Sequence, residues 1–229
     1  VHQQCQEQVM AEKGVCVVVG TGPGIGQAVA ARFGREGYAL GLIAQRKEAL
    51  AGFVDGLVAN NINARAFPAD AESTTSLIDA LKGVEYDLGA IDVLIYNAAV
   101  LKPGGPLDVG IEQLVREFRV NVGGALVCAQ HVAVGMKTRK RGTLLFTGGG
   151  LALSPWAQMT SLSIGKSAIR SLANSLHQDL KADGIRVGTV TVDGLVKPGA
   201  GALDPTAIAE QYWQLHEEAA DASFERVVR

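Results

Sequence analysis

A glycine run placed at the end of an apolar strand restricts what this chain can fold into more than any other feature. Gly20-Thr21-Gly22-Pro23-Gly24-Ile25-Gly26 follows at once on Val15-Cys16-Val17-Val18-Val19. It precedes a stretch with Ile25, Val29, Ala30 and Phe33 at helical spacing, stopped by Gly37. The continuous β-branched run reads as a buried strand. A helix that starts straight after such a strand offers unpaired N–H groups and the positive end of its dipole, which suits a phosphate. Glycine is needed there because a β-carbon would obstruct both the tight turn and the approach of backbone to ligand. The spacing is G-x-x-x-G-x-G, not the general G-x-G-x-x-G fingerprint. Gly20, Gly22, Gly24, Ile25 and Gly26 are therefore expected to line a dinucleotide pyrophosphate, the alternative being a merely tight turn.

The rest of the chain alternates short apolar runs with longer helical patterns. Strands are expected at 38–44, 64–67, 91–96, 143–147 and 186–192, with 226–228 as a last edge strand. Helices are expected at 48–59, 73–84, 111–137 and 161–181, with a tail helix started by Asp204-Pro205. Regular alternation predicts right-handed βαβ crossovers, hence an α/β fold of three layers around a doubly wound parallel, Rossmann-like sheet. At 229 residues the chain fits one domain of this kind, taken as 14–229. The polar residues 1–13 are read as a flexible or artificially added lead that takes no part in the fold.

Charge and cysteine usage exclude several classes. With 21 basic and 23 acidic residues and no basic stripe or acidic run of five or more, nothing supports a nucleic-acid or membrane-surface partner. No apolar run has the length of a membrane span. Cys5, Cys16 and Cys128 have no metal-binding or redox spacing, which fits a reducing cytoplasm and predicts no metal.

The fingerprint places an acidic residue ~20 positions past the glycines for a ribose 2′-hydroxyl, or an arginine for a 2′-phosphate. That place holds Arg46, between Gln45 and Lys47, and no carboxylate. A guanidinium suits phosphate by charge and forked geometry, so NADP(H) is expected over NAD(H). A solvated Arg-Lys pair is the alternative.

With this turn, Asn97-Ala98-Ala99 after the fourth strand, Asn121 in a long helix and Lys166 in the next, the chain resembles the short-chain dehydrogenase/reductases from Val15 to about Val196. The resemblance implies that Asn97, Ala98 and Ala99 support the sheet and pass along the adenosine ribose. It implies that Asp70 meets the adenine amino group and that Val196 contacts the nicotinamide amide through its backbone. Asp193 stands where the family has proline. The family's catalytic group is Asn, Ser, Tyr and Lys, of which Asn121 and Lys166 have counterparts here, Lys166 also holding the nicotinamide ribose. Counting back one helical turn from Lys166 gives Leu162 at the tyrosine position, and the serine position falls on Gly149. Leucine can transfer no proton, and general acid catalysis contributes ~10²–10⁴-fold.

Possible stand-ins are few. No tyrosine lies between Asn97 and Gln211, and of the four only Tyr96 and Tyr212 are candidates, with strand-end and helix-packing roles as their alternatives. Ser161 and Ser163 flank Leu162 but point about 100° away from it. Thr147 offers a hydroxyl near the missing serine, or a cap for its strand. His216 is the one histidine kept as a proton donor, and Trp156, Met159 and Trp213 are read as pocket walls or core. Two functions stay open. One is an NADP(H)-dependent oxidoreductase reducing a carbonyl or activated double bond of a small apolar molecule with a non-standard proton source. The other is a nucleotide-binding pseudoenzyme acting as sensor or partner subunit. The resemblance also implies a homodimer or homotetramer through the helices 111–137 and 161–181, for which Leu126, Val127, Val132 and Val134 supply apolar surface.

Overall fold

The computed structural model describes residues 13–229; the proposed lead lies, except for Lys13, outside the described residues. Lys13 itself is tied in, its backbone N–H donating to the Gly37 carbonyl at 3.0 Å. From there the chain runs β1 (Gly14–Val19), α1 (Ile25–Arg35), β2 (Tyr38–Ala44), α2 (Lys47–Val58), β3 (Ala64–Pro68), α3 (Thr74–Leu88) and β4 (Ile91–Tyr96). It continues with α4 (Ile111–Phe118), a π turn (Arg119–Gly123), α5 (Gly124–Arg139), β5 (Gly142–Thr147), α6 (Thr160–Leu180), β6 (Ile185–Val192), α7 (Pro205–Glu217) and β7 (Glu225–Val228).

The seven strands form one parallel sheet in the order β3-β2-β1-β4-β5-β6-β7. Alternation along β1 shows how both faces are filled. Val15, Val17 and Val19 enter one core with α3, α5 and α6, while Cys16 and Val18 enter the other with α1, α2 and α7. The expected doubly wound, three-layer arrangement is thus present, and the short edge strand β7 is part of it. Strand order reverses between β1 and β4, the switch point at which the carboxyl ends of an open α/β sheet leave a crevice.

One long helix is expected over 111–137, but the structure divides it. Residues 119–123 take the wider i→i+5 turn, so α4 and α5 are separate α-helical segments. The Val120 carbonyl in that turn accepts from the Tyr96 hydroxyl at 2.5 Å. Periodicity alone could not register a single added residue of this kind.

The tail is locked to the sheet by Arg186, a buried residue of β6. Its guanidinium donates to the carbonyls of Leu215 (2.8 Å) and Ser223 (2.7 Å) and to the Glu218 carboxylate (2.8 Å). A buried cation needs such complete pairing, and the pairing fixes α7 against β6. Asp204 caps α7, accepting from the Thr206 N–H, with Pro205 in the first turn where a missing N–H is harmless.

Candidate active site

At the switch point lies a cleft of 1130 Å³, walled by the turn after β1, the ends of β2, β4, β5 and β6, and the start of α6. The turn is built on Gly20, whose φ is 87° and whose β-carbon, if present, would stand 2.3 Å from the Ala98 nitrogen. Its N–H and that of Thr21 both donate to the Ile43 carbonyl, at 2.8 and 3.1 Å. Gly24, with φ 99°, begins α1 without a side-chain cap. A β-carbon at Gly22 or Gly24 would meet nothing within 4 Å, so the space in front of the helix N-terminus is open. A phosphate has room there and finds unpaired N–H groups.

The cleft gathers Gly20, Gly22, Gly24, Ile25, Arg46, Asp70, Asn97, Ala98, Ala99, Gly149, Leu162, Lys166 and Val196. Two of the residues expected at the site are not on its wall. Gly26 sits beneath the turn, where a β-carbon would lie 2.7 Å from the Gly20 carbonyl oxygen. Asn121 is buried in the π turn, and its Oδ1 accepts from the Val100 N–H at 2.7 Å, so it meets the cleft through Val100. Its Nδ2 has no partner among the described residues.

Charged side chains stand at both ends of the cleft. Arg46 is exposed at the N-terminus of α2 and makes no ion pair among the described residues. Asp70 Oδ1 accepts from the Glu72 N–H at 2.9 Å. At the other end Lys166 reaches in from α6 and donates to the Thr147 carbonyl at 2.7 Å. Burial lowers its pKa from 10.5 to about 8. Leu162, one turn earlier on α6, is 5% exposed. Leu101, Leu151, Trp156 and Leu195 make the mouth apolar.

Thr147 is a junction that its place in the sequence does not advertise. Its hydroxyl donates to Asn97 Oδ1 at 2.8 Å and lies 2.6 Å from the Tyr212 hydroxyl, while Asn97 Nδ2 donates to the Gly20 carbonyl at 2.8 Å. Tyr212 therefore does more than pack beside Trp213, and no local signal in the tail links it to β5. Tyr96 is 2% exposed and its hydroxyl is held by Val120, away from any substrate. His216 as proton donor is wrong: it lies in the α1–β2–α7 layer, 2.8 Å from the Tyr38 hydroxyl and 2.9 Å from Thr143 Oγ1, off the cleft. Trp213 packs there too, edge-to-face with Phe33 and under Arg32. Of the three residues read as pocket walls only Trp156 is one. Its backbone N–H donates to Ser163 Oγ at 3.2 Å, which gives Ser163 a structural task. Of the apolar residues read as contact surface, Val134 is 71% exposed whereas Val132 belongs to the core. Among the described residues Cys16 and Cys128 are buried and unpaired, no cluster is able to hold a metal ion, and no helix is long and apolar enough to cross a membrane.

Comparison with known proteins gives this geometry a context. Residues 14–202 match the family model described as short chain dehydrogenase. The chain is 28% identical over 190 residues, 83% of its length and 70% of the relative's, to 2,3-dihydro-2,3-dihydroxybenzoate dehydrogenase of Bacillus subtilis. Among solved structures it resembles a metagenomic short-chain oxidoreductase in complex with NADP (25% identity, TM-score 0.86, covering 95% of this chain and 97% of that one). It also resembles an NAD⁺-bound xylitol dehydrogenase (27% identity, TM-score 0.77, covering 87% and 83%).

Proposed function

The chain belongs to the short chain dehydrogenase family, an NAD(P)-dependent class of oxidoreductases, and on that premise we propose that it uses NADP(H) to reduce a carbonyl or activated double bond of a small, largely apolar molecule without a tyrosine proton donor. The observation that carries the reading is the pairing of an open glycine turn at one end of the cleft with Lys166 at the other. The dinucleotide would lie between them, its pyrophosphate on Gly20, Gly22, Gly24, Ile25 and the start of α1, with Gly26 allowing the turn to close. Asp70 would meet the adenine, and Asn97, Ala98 and Ala99 the adenosine ribose. Val196 would face the carboxamide. Arg46 supports NADP(H) over NAD(H), because a guanidinium beside the β2 end with no ion pair among the described residues is a ready partner for a 2′-phosphate. Both cofactors occur among similar structures, so the preference rests on Arg46 alone.

When bound, the cofactor supplies the hydride. The protein's part is to orient, exclude water and manage one proton. Lys166, held by the Thr147 carbonyl, presents donors to a ribose hydroxyl and a positive field to oxygen that gains charge. Asn121 keeps Val100 in place at the cleft wall. On the resemblance, Leu162 and Gly149 take the positions of the family's tyrosine and serine, and the substrate oxygen would then take its proton from water or from the substrate itself. Positioning alone supports substantial rates in a hydride transfer. The exposed stripe Ile111, Val115 and Phe118 on α4 supports assembly as a homodimer or homotetramer.

The test is a fluorescence titration with NADPH and, separately, NADH, followed by cofactor oxidation against a panel of carbonyls and enones. Tight NADPH binding with turnover supports the proposal. Binding with no turnover would transfer the protein to the sensor or partner-subunit reading, and no binding of either nucleotide would overturn both.

A further inference from the structure

The orientation of every group in the Thr147 junction can be worked out from one fixed point. The Gly20 carbonyl can only accept, so the Asn97 amide must turn its Nδ2 towards it, at 2.8 Å. Oδ1 of the same amide then faces Thr147 and can only accept, so the Thr147 hydroxyl gives its single proton to Asn97 at 2.8 Å. That leaves the Thr147 oxygen as an acceptor towards Tyr212, 2.6 Å away, and the phenol must be the donor. The result is a chain with one direction, Tyr212 to Thr147 to Asn97, closed by Asn97 onto the carbonyl that opens the glycine turn. Tyr212 is fully buried, and burial raises its pKa, which keeps the phenol in its donating form.

Thr147 has a second connection. Its backbone carbonyl is the acceptor for Lys166, so one residue sets both the floor of the glycine turn and the lysine at the opposite end of the cleft. Tyr212 comes from α7, which packs on the segment between β6 and itself, the segment that supplies Asp193, Gly194, Leu195 and Val196 to the cleft. We infer that Tyr212 is a positioning residue of the nucleotide site, holding through Thr147 and Asn97 the peptide of Gly20 in the orientation that the bound pyrophosphate requires. Neighbouring aliphatic contacts of α7 give it stability without this; the hydroxyl adds direction. Leucine or phenylalanine at 212 would fill the same core and leave the Thr147 oxygen facing hydrocarbon.

The inference rests on the proposed nucleotide site, and its test separates the two. Tyr212→Phe keeps the ring and removes only the donor. Hydrogen exchange of the nucleotide-free protein reads the linkage: Tyr212→Phe and Thr147→Val should speed exchange at Gly20–Gly26 by about fivefold, the weight of one neutral hydrogen bond, and leave β7 unchanged. Thr147→Ser, which retains the hydroxyl, should not. NADPH titration reads the consequence: each of the two disruptive variants should weaken binding about fivefold to tenfold, and the double variant no further than either one, because they break the same chain. Thermal unfolding should fall by only about 2–4 °C. Unchanged exchange at Gly20–Gly26 in Tyr212→Phe overturns the inference, as does faster exchange with NADPH affinity within twofold of the parent. Failure of the parent protein to bind either nucleotide overturns the functional reading instead, and the exchange comparison then still decides whether the chain orders the turn.

Discussion

Gly149 lies against the stem of Lys166, so closely that a β-carbon at 149 would stand 3.3 Å from the lysine Cγ and Cδ and 3.4 Å from Cε. The bare backbone gives the long side chain its channel to the Thr147 carbonyl. A hydroxyl-bearing residue at 149 would press on that channel, whereas one at 162 would extend from α6 into the cleft.

These two positions should therefore respond differently to an added hydroxyl. Leu162→Tyr is expected to raise NADPH-dependent carbonyl reduction about 100-fold, the lower end of what a positioned acid contributes. Gly149→Ser alone is expected to give little gain and a lower Tm, because the Lys166 stem has to shift. Steady-state rates and thermal unfolding of the two variants check this. A Leu162→Tyr enzyme no faster than its parent would show that position 162 does not present to the substrate oxygen.

Arg46 should govern the choice between nucleotides. Charge-assisted pairs with phosphate are the strong ones, so Arg46→Ala is expected to weaken NADPH binding about 10-fold to 100-fold and to leave NADH nearly unaffected. Equal losses for both would assign Arg46 to the shared part of the cofactor and remove the basis for the preference.

Lys166 makes stability depend on alkaline pH. Its value of about 8 in the folded state lies below the 10.5 of the exposed group, so between the two the unfolded chain holds a proton that the folded one has released. Stability then rises with pH across that window, while below it the lysine is charged in both states and the penalty of burial is felt in full. Lys166→Met removes the penalty. Its Tm relative to the parent should be highest near pH 7 and decline towards pH 10, and a difference that does not vary with pH would contradict the assignment.

His216 acts on the acidic side. Burial, opposed by Glu217, lowers its pKa below 6.5. Its contribution is present above 6.5 and is lost as pH falls through the lower folded value, since the unfolded chain takes up the proton first. His216→Gln should flatten the fall of the urea midpoint between pH 8 and pH 5. The fall should not vanish, because His177 is depressed too, by burial and by Arg186. A profile as steep as the parent's would place the acid sensitivity elsewhere.

How far the sequence can be read depends on how local each signal is. The strand–glycine–helix succession at 15–36 and the apolar runs of β2, β4, β5 and β6 are local, and the sheet they predict is the one observed. Arg46 is assigned to the site by its spacing from the glycines, and Asp70, Lys166 and Val196 by the family resemblance; the fold brings all four to one cleft. What the sequence hides is non-local. The Thr147–Tyr212 contact joins residues 65 apart in the chain, and nothing in the tail pattern distinguishes a phenol that donates into β5 from one that packs. His216 is misread for the same reason, since one turn of α7 separates residues over the cleft side from residues over Phe33. The π turn is not read from the pattern because helical segments lie on both sides of it and the sequence reads as one helix across them.

That turn also sets limits on how the chain can change length. A π turn is an α-helix that has taken in one residue, so deleting one residue from 119–123 would give a smoother helix in place of α4 and α5. The flanking helices would keep their faces, and the loss would fall on the contacts of the turn itself. Asn121 would leave Val100, and the Tyr96 hydroxyl would lose the carbonyl to which it donates. An insertion is harmless in most helices only when it can be undone. Here the reverse step is closed, because the extra residue has become the joint on which a core tyrosine and a site residue both depend.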